Sequence, residues 1–240
     1  MPIPIGTIHY FSTPNAKERA VEVISQWIID GTLGAGEKIR DVEIAQALGV
    51  SRMPVREALQ TLEAVGFIET EPHRGTRVSV PVPNDIYPLY KTIARLECLG
   101  LEDAMNPVRP ETIEELYMLN HRFQEALDRS EVMAMLGHDR DFHQRLVSSD
   151  ANRFCQQALA PLKQAAARYE YRYFSGLQSL RRDSLTEHRM ILEALVQQDI
   201  ARAQDILTKN WLRTANVLHA WYTASPCQNA VAPDSTPHHE

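Results

Sequence analysis

The chain has 240 residues, 44% of them hydrophobic and 23% charged, with a net charge of −6. That is enough material for two modest globular domains, and the acidic balance argues against a nucleic-acid binder that works by bulk charge. No apolar run approaches the roughly 20 residues of a membrane span, and three scattered cysteines, Cys98, Cys155 and Cys227, argue against a disulfide framework and for a reducing compartment. The first residues lack the basic and apolar regions of a signal peptide, so the expected location is the cytoplasm.

Residues 1–15, with three prolines, support no element and are expected to be a flexible tail. Residues 16–29 form an amphipathic helix whose stripe is Ala20, Val23, Ile24, Trp27 and Ile28. Residues 41–63, DVEIAQALGVSRMPVREALQTLE, read as two helices and a tight turn. Ile44, Ala45 and Leu48 mark the first helix, and Gly49 ends it. Ser51 stands at the N-cap of the second and Pro54 in its first turn. Val55, Ala58, Leu59 and Leu62 bury that helix, while Arg52 and Arg56 share its outer face. This is a helix-turn-helix, whose second helix is the one expected in the major groove. Two strands follow, 66–71 and 76–80, joined by a turn that ends at Gly75. Arg74 and Arg77 lie at or near the tip, where a wing reaches phosphates or the minor groove.

GVSRMPVREALQTLEAVGFIE followed by PHRGTRV resembles the winged helix-turn-helix of the GntR family of bacterial transcriptional regulators. The resemblance covers residues 16–81. It implies DNA-binding roles for Arg40, Ser51, Arg52, Pro54, Arg56, Arg74, Gly75 and Arg77. Where the family often has an arginine near the start of the first of these two helices, Val42 stands here and Arg40 lies two residues earlier. Residues 1–83 hold eight Lys and Arg against ten Asp and Glu, a net of −2. The arginines must therefore gather on one surface with most acids facing away, and a dimer is needed for tight binding.

A linker, residues 82–85, leads to an all-α part, residues 86–222, with helices expected at 86–105, 112–127, 131–148, 152–174, 184–197 and 199–222. Short connections make neighbouring helices antiparallel, as in a bundle. Residues 223–240 read as a disordered tail. The expected fold is thus mostly α: a winged helix-turn-helix followed by a helical bundle.

Polar residues on inward stripes mark the candidate site. Asp139 and His143 are one turn apart beside Met135, Phe142 and Leu146. His188 lies among Leu185, Ile191 and Leu192, and Asn210 among Ile206, Leu207 and Val217. A buried polar group costs roughly 1–3 kcal/mol unless paired, so these groups meet one another or a metal. DRDFHQRL and EHRMILEAL resemble the FCD effector-binding domain of the FadR branch of GntR regulators, many of which bind a divalent metal through an Asp and three His. The resemblance implies Asp139, His143 and His188 as ligands, with Asn210 where a fourth His is expected. Zinc, nickel or manganese fits such a mixed N/O set. A metal-free, hydrogen-bonded cluster is the alternative. The family's arginine toward an acidic effector is replaced by Ile93, so Arg172 and Asn120 are the candidate effector contacts.

The resemblance implies a ligand-responsive repressor that binds a pseudo-palindromic double-stranded operator as a homodimer, with a small organic acid as effector. Alternatives are a regulator that senses the metal itself and a helical metal-dependent hydrolase. The winged helix would have no role in the hydrolase, and no carboxylate is placed as its general base.

Overall fold

The computed structural model describes residues 16–71, 75–105, 107–148, 152–174 and 179–224, with side chains described throughout except at 171–174 and 179–181. The tails expected at 1–15 and 223–240 fall outside these residues, apart from 223 and 224, which close the last helix. The order is α1 (Ala16–Ile29), α2 (Asp41–Leu48), α3 (Arg52–Ala64), β1 (Ile68–Glu71), β2 (Gly75–Val78), α4 (Pro83–Ala104), α5 (Pro110–Asp128), α6 (Val132–Leu146), α7 (Arg153–Phe174), α8 (Ser179–Val196) and α9 (Ile200–Ala224).

The first five elements share one core. Ile24, Ile28, Ile44, Val55, Leu62, Phe67 and Val78 are all buried in it. Gly49 closes α2 in the left-handed conformation, φ 65°, which a side chain would resist. Its N–H donates to Gln46 and that of Val50 to Ala45, so the last carbonyls of α2 are satisfied. Ser51 has the extended backbone of an N-cap, but its hydroxyl makes no capping hydrogen bond. β1 and β2 pair antiparallel, Ile68 opposite Val78 and Glu71 opposite Gly75. A third segment, absent from the sequence reading, lies along β2. Lys38 bridges Arg77, Ile39 N donates to Thr76 O at 2.9 Å, and Val78 N donates to Glu37 O at 2.9 Å.

α4 to α9 form the helical part. α4 packs on α9 and α7, α5 on α6 and α8, and α8 on α9. Ile86, Tyr90, Ile93, Leu116, Phe142, Ile191 and Leu207 are buried in its core. Gly100 lets α4 approach α6 and α7 closely: a Cβ there would lie 2.9 Å from Val147 Cβ and 3.3 Å from Cys155 Sγ.

Two expected boundaries shift. α4 starts at Pro83, inside the segment read as linker, because proline is pre-set for the first helical position and Asp85 suits the positive end of the helix. α8 starts at Ser179, not at 184, because its first turns are rich in helix-forming charged residues that show no apolar stripe.

The two parts also touch. Gln164 of α7 donates to Ser25 Oγ of α1 at 2.7 Å. Arg168, one turn on, donates to Gly66 O, Ser79 Oγ and Ser79 O at 2.9, 2.8 and 2.7 Å. It also lies over the Phe67 ring, 5.0 Å from its centroid.

Candidate nucleic-acid interface and metal centre

The outer face of α3 carries Arg52 and Arg56, both exposed. Arg52 is not free-standing: its Nε and Nη2 donate to the Asp41 carboxylate at 3.0–3.3 Å. Arg40, before α2, pairs with Glu43 at 2.8 Å. Arg40, Asp41, Glu43, Arg52, Arg56 and Glu63 therefore line one shallow groove. Three of the ten acids of residues 1–83, Asp41, Glu43 and Glu63, thus share the surface of the arginines. Asp41 and Glu43 suit the first turn of α2 through its helix dipole, and the turn brings that helix end beside the start of α3. Pro54 is half-buried in the first turn of α3, while Ser51 and Gly75 are exposed. Arg77 is turned back on its own domain, where Nη1 donates to Gly36 O at 3.0 Å and holds the third segment. Arg74 lies outside the described residues.

In the helical part, α6 presents Asp139 and His143 on one face and α8 brings His188 to them. One donor atom from each lies within 4.8 Å of the others. His143 is buried and its Nδ1 is 2.8 Å from Glu97 Oε2. Glu97 is fully buried in α4 and also accepts from Trp211 Nε1 at 2.6 Å and pairs with Lys163 at 2.5 Å. Burial pushes the Glu97 carboxyl up, but His143 and Lys163 outweigh it and hold it at about 2. Burial lowers His143 while Glu97 raises it more, so the net shift is upward. His143 donates to Glu97 through Nδ1, and a cation would take Nε2 by displacing the proton that the raised pKa keeps there.

His188 is fully buried, stacked on Phe142 with centroids 4.0 Å apart. Its Nδ1 is 3.1 Å from Asn120 Oδ1. A carbonyl oxygen only accepts, so Nδ1 carries the proton and Nε2 bears a lone pair. Burial first, then the charges of His143 and Arg213, push the His188 pKa well below its usual value. The ring is neutral. Among the described residues its Nε2 has no hydrogen-bond partner, and it lies 3.5 Å from Asp139 Oδ1. Burial raises the Asp139 carboxyl, with His143 opposing. A nitrogen lone pair 3.5 Å from a carboxylate oxygen is a donor set that fits a divalent cation.

Two family descriptions match the chain: "Bacterial regulatory proteins, gntR family" over residues 16–78, and "FCD domain" over residues 88–211. The chain belongs to the gntR family of bacterial regulatory proteins, in the branch that carries an FCD domain. It is 32% identical over 165 residues to the Nta operon transcriptional regulator of Aminobacter aminovorans, covering 68% of this chain and 75% of that one. It is 27% identical over 137 residues to the HTH-type transcriptional regulator YdhC of Bacillus subtilis (strain 168), covering 57% of this chain and 61% of the relative. The fold is shared with E. coli McbR/YncC, TM-score 0.76 at 19% identity, covering 87% of this chain and 99% of the other. These relatives are transcriptional regulators, not enzymes, and no described helix of this regulator is long and apolar enough to cross a membrane.

In this gntR-family regulator Asn210 is buried and lines the cavity that Asp139 and His143 also line. Its amide nitrogen donates to Glu187 Oε2 at 2.7 Å, and Arg213 grips the same carboxylate. Only its carbonyl remains to meet a cation. Asn120, read from the sequence as an effector contact, is buried and orients His188 instead. The Arg172 side chain lies outside the described residues. Sequence reasoning missed Glu97 and Lys163. Glu97 carried a usable signal, an acid on the α4 stripe of Tyr90, Ile93, Ala94 and Leu101. Lys163 carried none.

Proposed function

We propose that this regulator works as a homodimer of two-domain chains in the cytoplasm, binding a pseudo-palindromic operator through α3 and the wing and releasing it when a small organic acid binds the helical domain. The two-fold symmetry of a dimer matches such an operator. Arg52 and Arg56 read base edges, and Arg74 adds a phosphate contact. Asp41 holds Arg52 by one edge of its guanidinium and leaves the other edge for a base.

In the helical domain, Asp139, His143 and His188 hold a divalent cation of the zinc, nickel or manganese class, and the Asn210 carbonyl is a weaker fourth donor. The observation that carries this reading is the buried, unpartnered Nε2 of His188 beside Asp139. Glu97 and Asn120 fix the two rings with Nε2 available. When bound, the cation supplies a coordination position for the effector's carboxylate. Asp139, His143 and His188 keep that cation between α6 and α8.

The test is elemental analysis after purification and re-addition of metal, alongside binding to an operator selected from randomised duplexes. The expected result is about one ion per chain, lost in His188→Ala without unfolding and bound more tightly in Asn210→His. Wild type that takes up no stoichiometric metal yet responds to organic acids would reduce the cluster to a polar core. An Arg52→Ala, Arg56→Ala double variant is expected to lose the operator, at about 1–3 kcal/mol per base contact. If it still shifts the duplex at wild-type concentration, the assignment of α3 is wrong. Metal titrations of operator binding with and without organic acids separate this reading from one in which the ion itself is the signal.

A further inference from the structure

We propose that the effector site is shared between the two domains: α1 of the winged domain forms its far wall, and the site takes an organic dianion. This rests on the reading that one carboxylate of the effector meets the Asp139–His143–His188 cluster, and it adds what receives the other end.

The cavity beside the cluster has a volume of about 130 Å³, and its lining includes Gln26 and Ile29 of α1 as well as Asp139 and His143. It is not closed off on the α1 side. A larger cleft of about 770 Å³ lies between α1 and the α6–α7 pair, and the two spaces share Gln26, Ile29, Arg140, Lys163 and Ala167. The Gln164–Ser25 hydrogen bond, on the same pair of helices, fixes α1 at this distance.

The chemistry of the shared residues selects the ligand. Lys163 is committed to Glu97. Arg140 is exposed, and neither its guanidinium nor the Gln26 amide has a hydrogen-bond or ion-pair partner among the described residues. An unpaired arginine is matched bidentately by a carboxylate, and an amide N–H adds a second donor. Ile29 and Ala167 offer an apolar surface to the carbon chain between the two charged ends. A monocarboxylate would occupy only the cluster end. A dicarboxylate would span from α6 and α8 to α1, so its affinity would depend on how the winged domain sits. That is the differential binding to two arrangements that a ligand needs in order to switch a regulator.

The experiment uses the full-length protein, reloaded with metal and assayed for metal content. It is titrated calorimetrically with succinate, glutarate and citrate, with acetate as the single-carboxylate control. At least one of the three should bind about tenfold or more tighter than acetate, the gain of one charge-assisted contact. Gln26→Glu, which puts a negative charge in the wall, and Ile29→Trp, which fills it, should each lower that affinity about tenfold or more. Acetate affinity and metal content should stay as in wild type. If no di- or tricarboxylate binds better than acetate, or if both variants bind as wild type does, the shared site is overturned. Wild type that loads no metal yet binds a dicarboxylate in an α1-dependent way would uphold the shared site while sinking the metal-centred reading. Metal loading with ligand binding indifferent to Gln26 and Ile29 would do the reverse.

Discussion

Asn120 and Glu97 do for the two histidines what neither histidine can do alone. Each accepts from a ring Nδ1, at 3.1 and 2.8 Å, and so makes Nε2 the nitrogen that a cation would take. Asn120→Ala would remove the acceptor and leave a buried N–H unpaired. Metal affinity is then expected to fall about 10–100-fold, read by competition against a chromogenic chelator. Asn120→Asp, still an acceptor, should largely restore it, which a purely packing role for Asn120 would not allow. Glu170 is a second residue-scale case. Burial, then the charge of Asp139, raise its carboxyl to about 7, although Tyr90 donates to it at 2.7 Å. A raised carboxyl binds its proton in the folded state after the unfolded chain has released it. Stability is therefore lost as pH rises from about 4.5 to about 7 and stays lost above that. Glu170→Gln in the metal-free protein should raise the melting temperature at pH 8, by on the order of 1–3 kcal/mol of stability, and leave it nearly unchanged at pH 4. An equal effect at both pH values would deny the shifted titration.

At the scale of elements, the helices hold their places through a few close approaches. α4 is central: it lies on both α7 and α9 and contributes Glu97 to the cluster. Its contact with Val147 and Cys155 depends on the bare Cα of Gly100. Gly100→Ala adds a methyl group where there is 2.9 Å to the nearest carbon. The helix should gain propensity, but overpacking dominates in a close-packed interior, with an expected loss of about 1–3 kcal/mol. Chemical denaturation measures this. A stability gain would show that Val147 can move aside freely. The connections between α5 and α6 and before α9 depend on less obvious residues. Ser130 and Gln198 take positive φ, 58° and 57°, in turns where a glycine would have announced the bend.

For the molecule as a whole, α7 is the bridge. Lys163 and Glu170 line the cavity by the Asp139–His143–His188 cluster, while Gln164 and Arg168 on the same helix bind α1 and the base of the wing. The Arg168 guanidinium makes three hydrogen bonds to Gly66 and Ser79, more than a lone surface pair offers. Arg168→Ala is expected to loosen the winged domain. Cleavage between residues 79 and 83 in limited proteolysis should accelerate, and the calorimetric transition should split or broaden. Metal uptake should be unaffected, since no ligand changes. A single sharp transition and unchanged proteolysis would mean that the contact between the domains does not depend on this side chain.

Much of this molecule was legible in its sequence because the deciding forces act over one or two helical turns. The apolar stripes of α1, α3 and α4, the Gly49 stop and the one-turn spacing of Asp139 and His143 are local patterns, and local hydrogen bonding and burial enforce them. The sequence alone therefore determined the winged helix-turn-helix, the all-α remainder and the shared face of Asp139 and His143, while His188 came to them only through the resemblance to the FCD domain. It could mark Glu97, Asn120 and His188 as polar groups on buried faces, but not say which of them would meet. Glu97 reaches His143 from 46 residues away, and Asn120 reaches His188 from 68. It could not foresee that the segment before α2 would pair with β2 and turn Arg77 inward, that Asp41 would hold Arg52, or that α1 would face the cavity beside Asp139 and His143. Periodicity records which side of an element is buried, not what lies against it. The partner is chosen by how the helices pack, so the state of each ring nitrogen and the wall of the cavity were decided only in the folded chain.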